Sequence, residues 1–256
     1  MIASREPPRT PHPVRIALSY LVDLALPRAC VSCDELFAST SDVVCESCWC
    51  RLSPLPHPHC DRCGHPTQGR RCGFCELLPP FVRSARSVCW VPHVTGSAVL
   101  RALKYHGWTS AATGIAERMS RLSWPDDVSR ERAALVPVPL SRSRERERGF
   151  NQAALIAEAL AAHWHIPVWH DALLRTRATE TQTRLTPSER AANVNGAFEV
   201  PLQERNRVKG QHLVIVDDVL TTGATMNNCA EALFLAGART MSYVTFGRAR
   251  TSGDGA

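Results

Sequence analysis

Two adjacent carboxylates and a hydroxyl-rich loop stand together late in the chain. Residues 212–225 read His-Leu-Val-Ile-Val-Asp-Asp-Val-Leu-Thr-Thr-Gly-Ala-Thr. Carboxylates accept hydrogen bonds from hydroxyl groups, so Asp217 and Asp218 suit the neighbouring hydroxyls of a ribose. The loop after them precedes a predicted helix, where backbone N–H groups and the helix dipole favour a phosphate. This candidate phosphate loop comprises Thr221, Thr222, Gly223, Ala224 and Thr225.

The loop lacks the lysine that a nucleoside triphosphate P-loop needs before its last Ser or Thr, so it suits a single 5′-phosphate. An alternative interpretation involves no ligand, because acids at a strand end also cap helices and Thr-Thr-Gly is common in turns. The order of aliphatic strand, acid pair, loop and amphipathic helix favours the binding site.

Nine of the eleven cysteines lie between Cys30 and Cys75, with few aliphatic residues among them. Eight form pairs with a two-residue gap, which lets two thiolates reach one tetrahedral ion. Assigned in sequence order, they predict two zinc sites, one from Cys30, Cys33, Cys45 and Cys48 and one from Cys60, Cys63, Cys72 and Cys75. Cys50 is a possible substitute ligand, whereas Cys89 and Cys229 are predicted core residues.

The rival interpretation of the cysteines is a disulfide scaffold, which requires an oxidising compartment and a secretion signal that this sequence does not supply. Closed four-cysteine sites have no open position for water, so the zinc is predicted to be structural. The nearby arginines suit either nucleic-acid contacts or a solvated face, and the solvated face is favoured for Arg51, Arg62, Arg70 and Arg71.

Alternating strands and helices follow the cysteine-rich region. Strands are predicted at 87–91, 133–138, 212–216 and 241–246, with an apolar patch near Val168, and helices at 98–105, 115–122, 151–164 and 224–236. This alternation predicts an α/β fold with a parallel sheet flanked by helices. Ligands bind such sheets at the carboxyl ends of the strands, where the acid pair lies.

With 256 residues, 44% of them hydrophobic and 21% charged, the composition is that of ordinary globular proteins. A net charge of +6 favours phosphate-bearing partners. No apolar run reaches the roughly 18 residues of a membrane span, because Asp23 interrupts the longest one, and a cytoplasmic protein is expected. We predict a disordered tail at 1–13, an amphipathic helix and double zinc ribbon at 14–80, and an α/β domain at 81–250.

The segment Val-Asp-Asp-Val-Leu-Thr-Thr-Gly-Ala-Thr at 216–225 resembles the hallmark of the type I phosphoribosyltransferase superfamily. Together with the cysteine pairs, four further segments are similar to the ComF competence family, over about residues 16–248. These are Leu-Lys-Tyr-His-Gly at 103–107, Val-Pro-Val-Pro-Leu at 136–140, Arg-Glu-Arg-Gly-Phe-Asn-Gln at 146–152, and 182–198.

The resemblance implies that the acid pair and phosphate loop bind 5-phosphoribosyl 1-diphosphate (PRPP), with Mg²⁺ bridging diphosphate and sugar oxygens. It implies a diphosphate loop at Leu140, Ser141 and Arg142, and a lid spanning 175–190 in which arginines offset charge. The lid candidates are Arg175, Arg177, Arg184 and Arg190. A nucleophile would displace diphosphate from C1 of the ribose, although nothing in the sequence identifies the acceptor.

Two functions remain open in the sequence. One is a phosphoribosyltransferase with an unknown acceptor, for which the resemblance implies a role in DNA uptake. The other is a non-catalytic PRPP sensor that binds single-stranded DNA or competence proteins. The arginine-rich segment 142–148 alternates charge as an exposed face does, and the 6% aromatic content does not indicate a stacking platform for bases.

Overall fold

The structure, a computed structural model, describes residues 28–37, 42–67, 72–176 and 196–250. The strands are β1 (Arg28–Ala29), β2 (Leu36–Phe37), β3 (Val82–Val91), β4 (Arg132–Pro137), β5 (Leu174–Arg175), β6 (Phe198–Glu199), β7 (His212–Leu220) and β8 (Thr240–Ala249). The α-helices are α1 (Glu46–Cys50), α2 (Val94–Tyr105), α3 (Ala111–Ser120), α4 (Asp126–Glu131), α5 (Arg142–Arg148), α6 (Gln152–Trp164), α7 (Arg205–Val208) and α8 (Ala224–Leu235). Short 3₁₀ turns cover Gly73–Leu77, His170–Ala172 and Leu202–Glu204.

A four-stranded parallel sheet with the order β3-β8-β7-β4 forms the centre of the molecule. Val168 extends it by a parallel bridge to Leu135. The strands are buried almost throughout, as expected for a parallel sheet covered on both faces. The predicted α/β fold with a parallel sheet flanked by helices is therefore confirmed.

Strand β7 is longer than the aliphatic run that predicts it. The run ends at Val216, but regular pairing with β8 continues through Asp217 to Leu220. The two acids therefore lie inside the strand rather than after it. Backbone pairing to β8 holds them more rigidly than a loop would.

Each face of the sheet packs against a different cysteine cluster. On one face, Trp49 of α1 meets Phe246 edge to face at 6.2 Å, in a core shared with α2, α3 and α6. On the other, Phe74 and Leu78 join α8 in a second core. Gly114 of α3 is needed at the first contact, because a Cβ there would lie 2.9 Å from the Trp49 ring.

Several predictions from the sequence fall on parts of the chain that the structure does not describe. These are the tail at 1–13, the amphipathic helix at 16–26, Arg70 and Arg71, and most of the lid, including Arg177, Arg184 and Arg190. Among the described residues, no helix combines the length and apolar character needed to cross a membrane.

Candidate functional site

The carboxyl ends of β4 and β7 border a cavity of about 240 Å³. It brings together the acid pair, most of the phosphate loop, the candidate diphosphate loop and the first lid arginine. The predicted site residues that line it are Asp217, Asp218, Thr221, Gly223, Ala224, Thr225, Leu140, Ser141 and Arg175. Segments up to about 85 residues apart in the sequence therefore converge on one cavity, as the parallel topology requires.

Among the sugar-site candidates that the structure describes, two do not line this cavity. The Thr222 hydroxyl instead accepts a hydrogen bond from the Ala224 N–H at 3.4 Å, so it supports the loop from within. Arg142 borders a neighbouring cavity of about 720 Å³, on the other side of Leu140 and Ser141.

The acid pair is packed tightly at the base of the cavity. Asp218 is 5% exposed, and its backbone N–H donates to Asp217 Oδ1 at 2.8 Å. Burial raises the pKa of Asp217 well above its ordinary value, and the neighbouring charge of Asp218 raises it further. The two carboxylates therefore share a site in which ionising both is costly, and Asp218 carries the charge.

Lys104 lines the cavity, although the sequence assigned it no role. It lies in the last turn of α2, and its Nζ forms an ion pair with Asp218 Oδ2. Burial raises the pKa of Asp218, but attraction to Lys104 and hydrogen bonds to Lys104 and Asp217 outweigh this, so the pKa lies below its ordinary value. The only sequence signal was its place in the segment 103–107.

The phosphate loop turns into α8 at Gly223. This residue has a φ of +82°, in the left-handed region that glycine adopts without strain, and its carbonyl accepts from the Asn227 N–H at 2.8 Å. The start of a three-turn helix thus faces the cavity at Ala224 and Thr225. Such a terminus favours an anion.

Four cations line the cavity against the two acids, namely Lys104, Arg144, Arg148 and Arg175. Arg144 and Arg148 come from α5, whose N-terminus is capped by the Ser141 hydroxyl. Burial lowers the pKa of Arg175, and the guanidinium lies 5.3 Å from the centre of the Phe198 ring. The excess of positive charge suits a ligand with several phosphate charges.

The eight paired cysteines form two clusters in the sequence order predicted for them. In each cluster the sulfurs lie within 4.8 Å of one another. Cys60 and Cys75 are 3.3 Å apart, as are Cys63 and Cys72, while Cys33 and Cys45 are 3.7 Å apart. A tetrahedral zinc ion with bonds of about 2.3 Å separates its thiolates by roughly 3.8 Å. The donors therefore fit zinc, and these distances exceed the ~2.05 Å of a disulfide.

Backbone N–H groups and an arginine donate to the first cluster. The N–H groups of Ser32 and Cys45 point to Cys30 Sγ at 3.5 and 3.3 Å, and Arg51 donates to Cys48 Sγ at 3.0 Å. Such donors stabilise thiolates that hold a metal. Cys50 is exposed and outside both clusters, while Cys89 and Cys229 are buried in the core as predicted.

Comparison with known proteins agrees with this architecture. Residues 21–76 match the family model of the double zinc ribbon domain, and residues 152–253 match that of the phosphoribosyl transferase domain. The two cysteine clusters are thus zinc-ribbon sites, and the cavity belongs to a phosphoribosyltransferase-type domain.

Three relatives cover most of the chain. The DNA utilization protein YhgH of Escherichia coli O157:H7 is 32% identical over 228 residues, which cover 85% of this chain and 96% of that protein. Competence protein F of Haemophilus influenzae is 27% identical, and the match covers 80% of this chain and 90% of that protein. Competence protein ComFC of Bacillus subtilis is 29% identical and covers 80% and 88%. From the double zinc ribbon, the phosphoribosyltransferase domain and these relatives together, the chain belongs to the ComF family.

Proposed function

We propose that this protein binds PRPP in the cavity at the ends of β4 and β7. One observation carries the proposal: the acid pair, the loop at the start of α8 and a second loop beside two arginines line a single cavity. A sugar phosphate with a diphosphate at its other end matches these three features. Asp218 would accept from the ribose hydroxyls, and the N–H groups at Gly223 to Thr225 would hold the 5′-phosphate.

The diphosphate would lie along Leu140 and Ser141, near Arg144 and Arg175. The oxygens of the substrate and the nearby carboxylates are ligands of the kind that Mg²⁺ prefers, so the site fits the ion. Bound with the substrate, Mg²⁺ would neutralise diphosphate charge. The residues themselves orient the sugar and stabilise the leaving group, which is the main requirement when C1 develops positive charge.

Binding and turnover are separated by one experiment. The wild type and the Asp217→Asn/Asp218→Asn variant are titrated with PRPP and Mg²⁺ by calorimetry, and diphosphate release is followed with and without cell extract as a source of acceptor. We expect binding by the wild type and at least a tenfold loss in the variant, because hydrogen bonds to charged groups contribute about 1.5–3 kcal/mol each. No heat with the wild type would contradict the proposal, and binding without diphosphate release would indicate a sensor rather than an enzyme.

Helix α5 favours a second candidate function, contact with single-stranded DNA. It carries four arginines, none of its residues is buried, and it borders the site. The relatives are named DNA utilization and competence proteins, which supports the same function. We propose that Arg142 and Arg146, which lie outside the 240 Å³ cavity, contact DNA phosphates in DNA uptake, alone or with competence proteins.

DNA binding by α5 predicts a steep fall in affinity with salt. Charge reversal by Arg142→Glu/Arg146→Glu should weaken binding of a single-stranded oligonucleotide at least tenfold at low salt and leave PRPP affinity unchanged. Arg101→Glu, an exposed position on α2, serves as the matched control. Affinity that does not depend on salt, or equal losses in all variants, would remove this function.

We propose a cytoplasmic location, because a reducing compartment keeps cysteine thiols free of disulfides and available to hold zinc. Two arginines in the described part of the ribbons, Arg51 and Arg62, are engaged within the molecule. Arg51 donates to a cysteine sulfur, and Arg62 donates to four backbone carbonyls. This supports a structural role for the ribbons rather than contacts with nucleic acid.

A further inference from the structure

We propose that Lys104 is a positioning residue of the sugar site, which holds Asp218 so that one of its oxygens accepts from the ribose diol. The inference rests on the proposed binding of PRPP and extends it to a residue outside the acid pair and both phosphate-binding loops.

The geometry singles out the contact between α2 and β7. Nζ of Lys104 meets Asp218 Oδ2, and the two side chains are 23% and 8% exposed, respectively. A carboxylate this deeply buried has little water to orient it or to stabilise its charge. Lys104 supplies both the orientation and the stabilising charge. Water screens an ion pair inside the protein far less than it screens one at the surface.

The pair leaves Asp218 with a second oxygen, Oδ1. A carboxylate that is fixed through Oδ2 presents Oδ1 in one orientation, and a hydroxyl group that donates to it is then bound with directional preference. Asp217 is the weaker acceptor, because one of its oxygens already accepts from the Asp218 N–H at 2.8 Å and its raised pKa disfavours the charged form. Recognition of the diol therefore depends on Asp218, and the orientation of Asp218 depends on Lys104.

The backbone supports this arrangement from both sides. Leu103, next to Lys104, is fully buried in the core. Lys104 itself is the second-to-last residue of the twelve-residue helix α2. Asp218 lies within the pairing of β7 to β8. Both partners therefore project from rigid elements, which is the condition for a precisely aimed hydrogen-bonding group.

The test compares ribose 5-phosphate with 2-deoxyribose 5-phosphate, which lacks one hydroxyl of the diol, as displacers of PRPP measured by calorimetry. In the wild type we expect ribose 5-phosphate to bind about tenfold or more tightly than the deoxy sugar. In Lys104→Met the ratio should fall to about twofold or less, and Lys104→Arg should restore part of it. Neither sugar carries diphosphate, so loss of a diphosphate contact does not change this ratio.

Arg101→Met is the matched control, since it removes a long cation from an exposed position one turn earlier on α2. It should keep the wild-type ratio. Lys104→Gln provides a second variant if Lys104→Met fails to fold, and thermal unfolding checks both.

The outcomes distinguish this inference from the proposed function. If the wild type binds no PRPP, the proposed function fails and this inference with it. If PRPP binds but the wild type does not distinguish the two sugars, or Lys104→Met keeps the ratio, only the positioning role is wrong. A loss of PRPP affinity in Lys104→Met with an unchanged sugar ratio would assign Lys104 to the diphosphate instead.

Discussion

His212 and Asp218 lie in the same strand, and burial acts on them in different ways. Asp218 keeps its charge because Lys104 pairs with it. His212, 1% exposed at the other end of β7, has Nε2 2.9 Å from the Ser242 hydroxyl. Burial, assisted by the charge of Arg239, lowers the pKa of His212 to about 4. The imidazole is therefore neutral in the folded protein at pH 7, and it is part of the core rather than of the site.

The pKa of His212 predicts how stability depends on pH. Between its ordinary value near 6.5 and about 4, the unfolded chain binds a proton that the folded chain does not. Stability from this residue is therefore complete above pH 6.5 and is lost as the pH falls toward 4. The wild type should lose roughly 1–2 kcal/mol more than His212→Gln between pH 7 and pH 5, in urea unfolding. Equal losses in the two proteins would show that His212 is accessible to protons when folded.

At the residue scale, residue order along one short segment was enough to predict a strand that leads through the acid pair into a loop at a helix start, and these residues border one cavity. Lys104 was not, since its partner lies more than 110 positions later in the chain. Arg142 was assigned to the diphosphate loop, but it faces the neighbouring cavity of about 720 Å³. The direction of an arginine at a helix start depends on how that helix packs, which residue types alone do not specify.

At the scale of elements, Arg62 joins the zinc ribbon that contains Cys60, Cys63, Cys72 and Cys75 to the start of β3. Its guanidinium donates to the carbonyls of Val82, Cys75, Leu78 and Pro79, at 3.2, 3.4, 3.3 and 2.7 Å, respectively. These carbonyls belong to the segment that runs from the last cysteine, Cys75, to the first residue of β3, Val82. The turn between ribbon and sheet is thus closed by one side chain from the ribbon.

Loss of Arg62 should open this turn. Arg62→Ala removes the donor to four carbonyls. We expect a loss of about 2 kcal/mol in the free energy of unfolding, because carbonyls left without a hydrogen-bond donor destabilise the folded state. Arg62→Lys should recover only part, since an ammonium group lacks the planar fork of donors. Urea unfolding measures both, with Arg101→Ala as the exposed control. A loss under about 0.5 kcal/mol, the range of ordinary surface substitutions, would contradict the bracing role.

The elements that the sequence predicted well were those with long apolar periodicity, including α6 and α8. The short helices α4 and α5 were not predicted as helices, because neither carries an apolar face of the usual width. In α5 the Ser141 cap and the left-handed Gly149 define the two ends. The ends of this helix are therefore determined by local capping rather than by burial of its own side chains.

At the scale of the whole molecule, the ribbons and the sheet share their cores. Trp49 and Phe246 belong to one core, and Phe74 and Tyr243 belong to the other. Arg248, fully buried at the end of β8, donates to the Cys63 carbonyl at 2.8 Å and lies 4.3 Å from the centre of the Phe74 ring. The ribbons are therefore structural supports of the α/β fold and share its cores.

Removal of zinc should destabilise the sheet as well as the ribbons. Metal analysis of anaerobically purified protein should find about two zinc ions per chain, and chelation should expose the amides of β8 to hydrogen exchange, because metal binding and folding are coupled. Cys48→Ser should lose one ion, whereas Cys50→Ser, next to the cluster but outside it, should keep both. Full protection of β8 after both ions have left would show that the sheet is stable without the zinc-bound ribbons.

The sequence by itself determined the two cysteine sets, the parallel α/β fold and the strand, acid pair, loop and helix at 212–235, because each depends on residue types at short, regular spacings. Only the tertiary structure decided that Lys104 pairs with Asp218, that α5 carries two arginines into the cavity and that each ribbon covers one face of the sheet. These contacts join residues far apart in the chain. Their formation depends on how the helices pack across the sheet, and no local pattern records that packing.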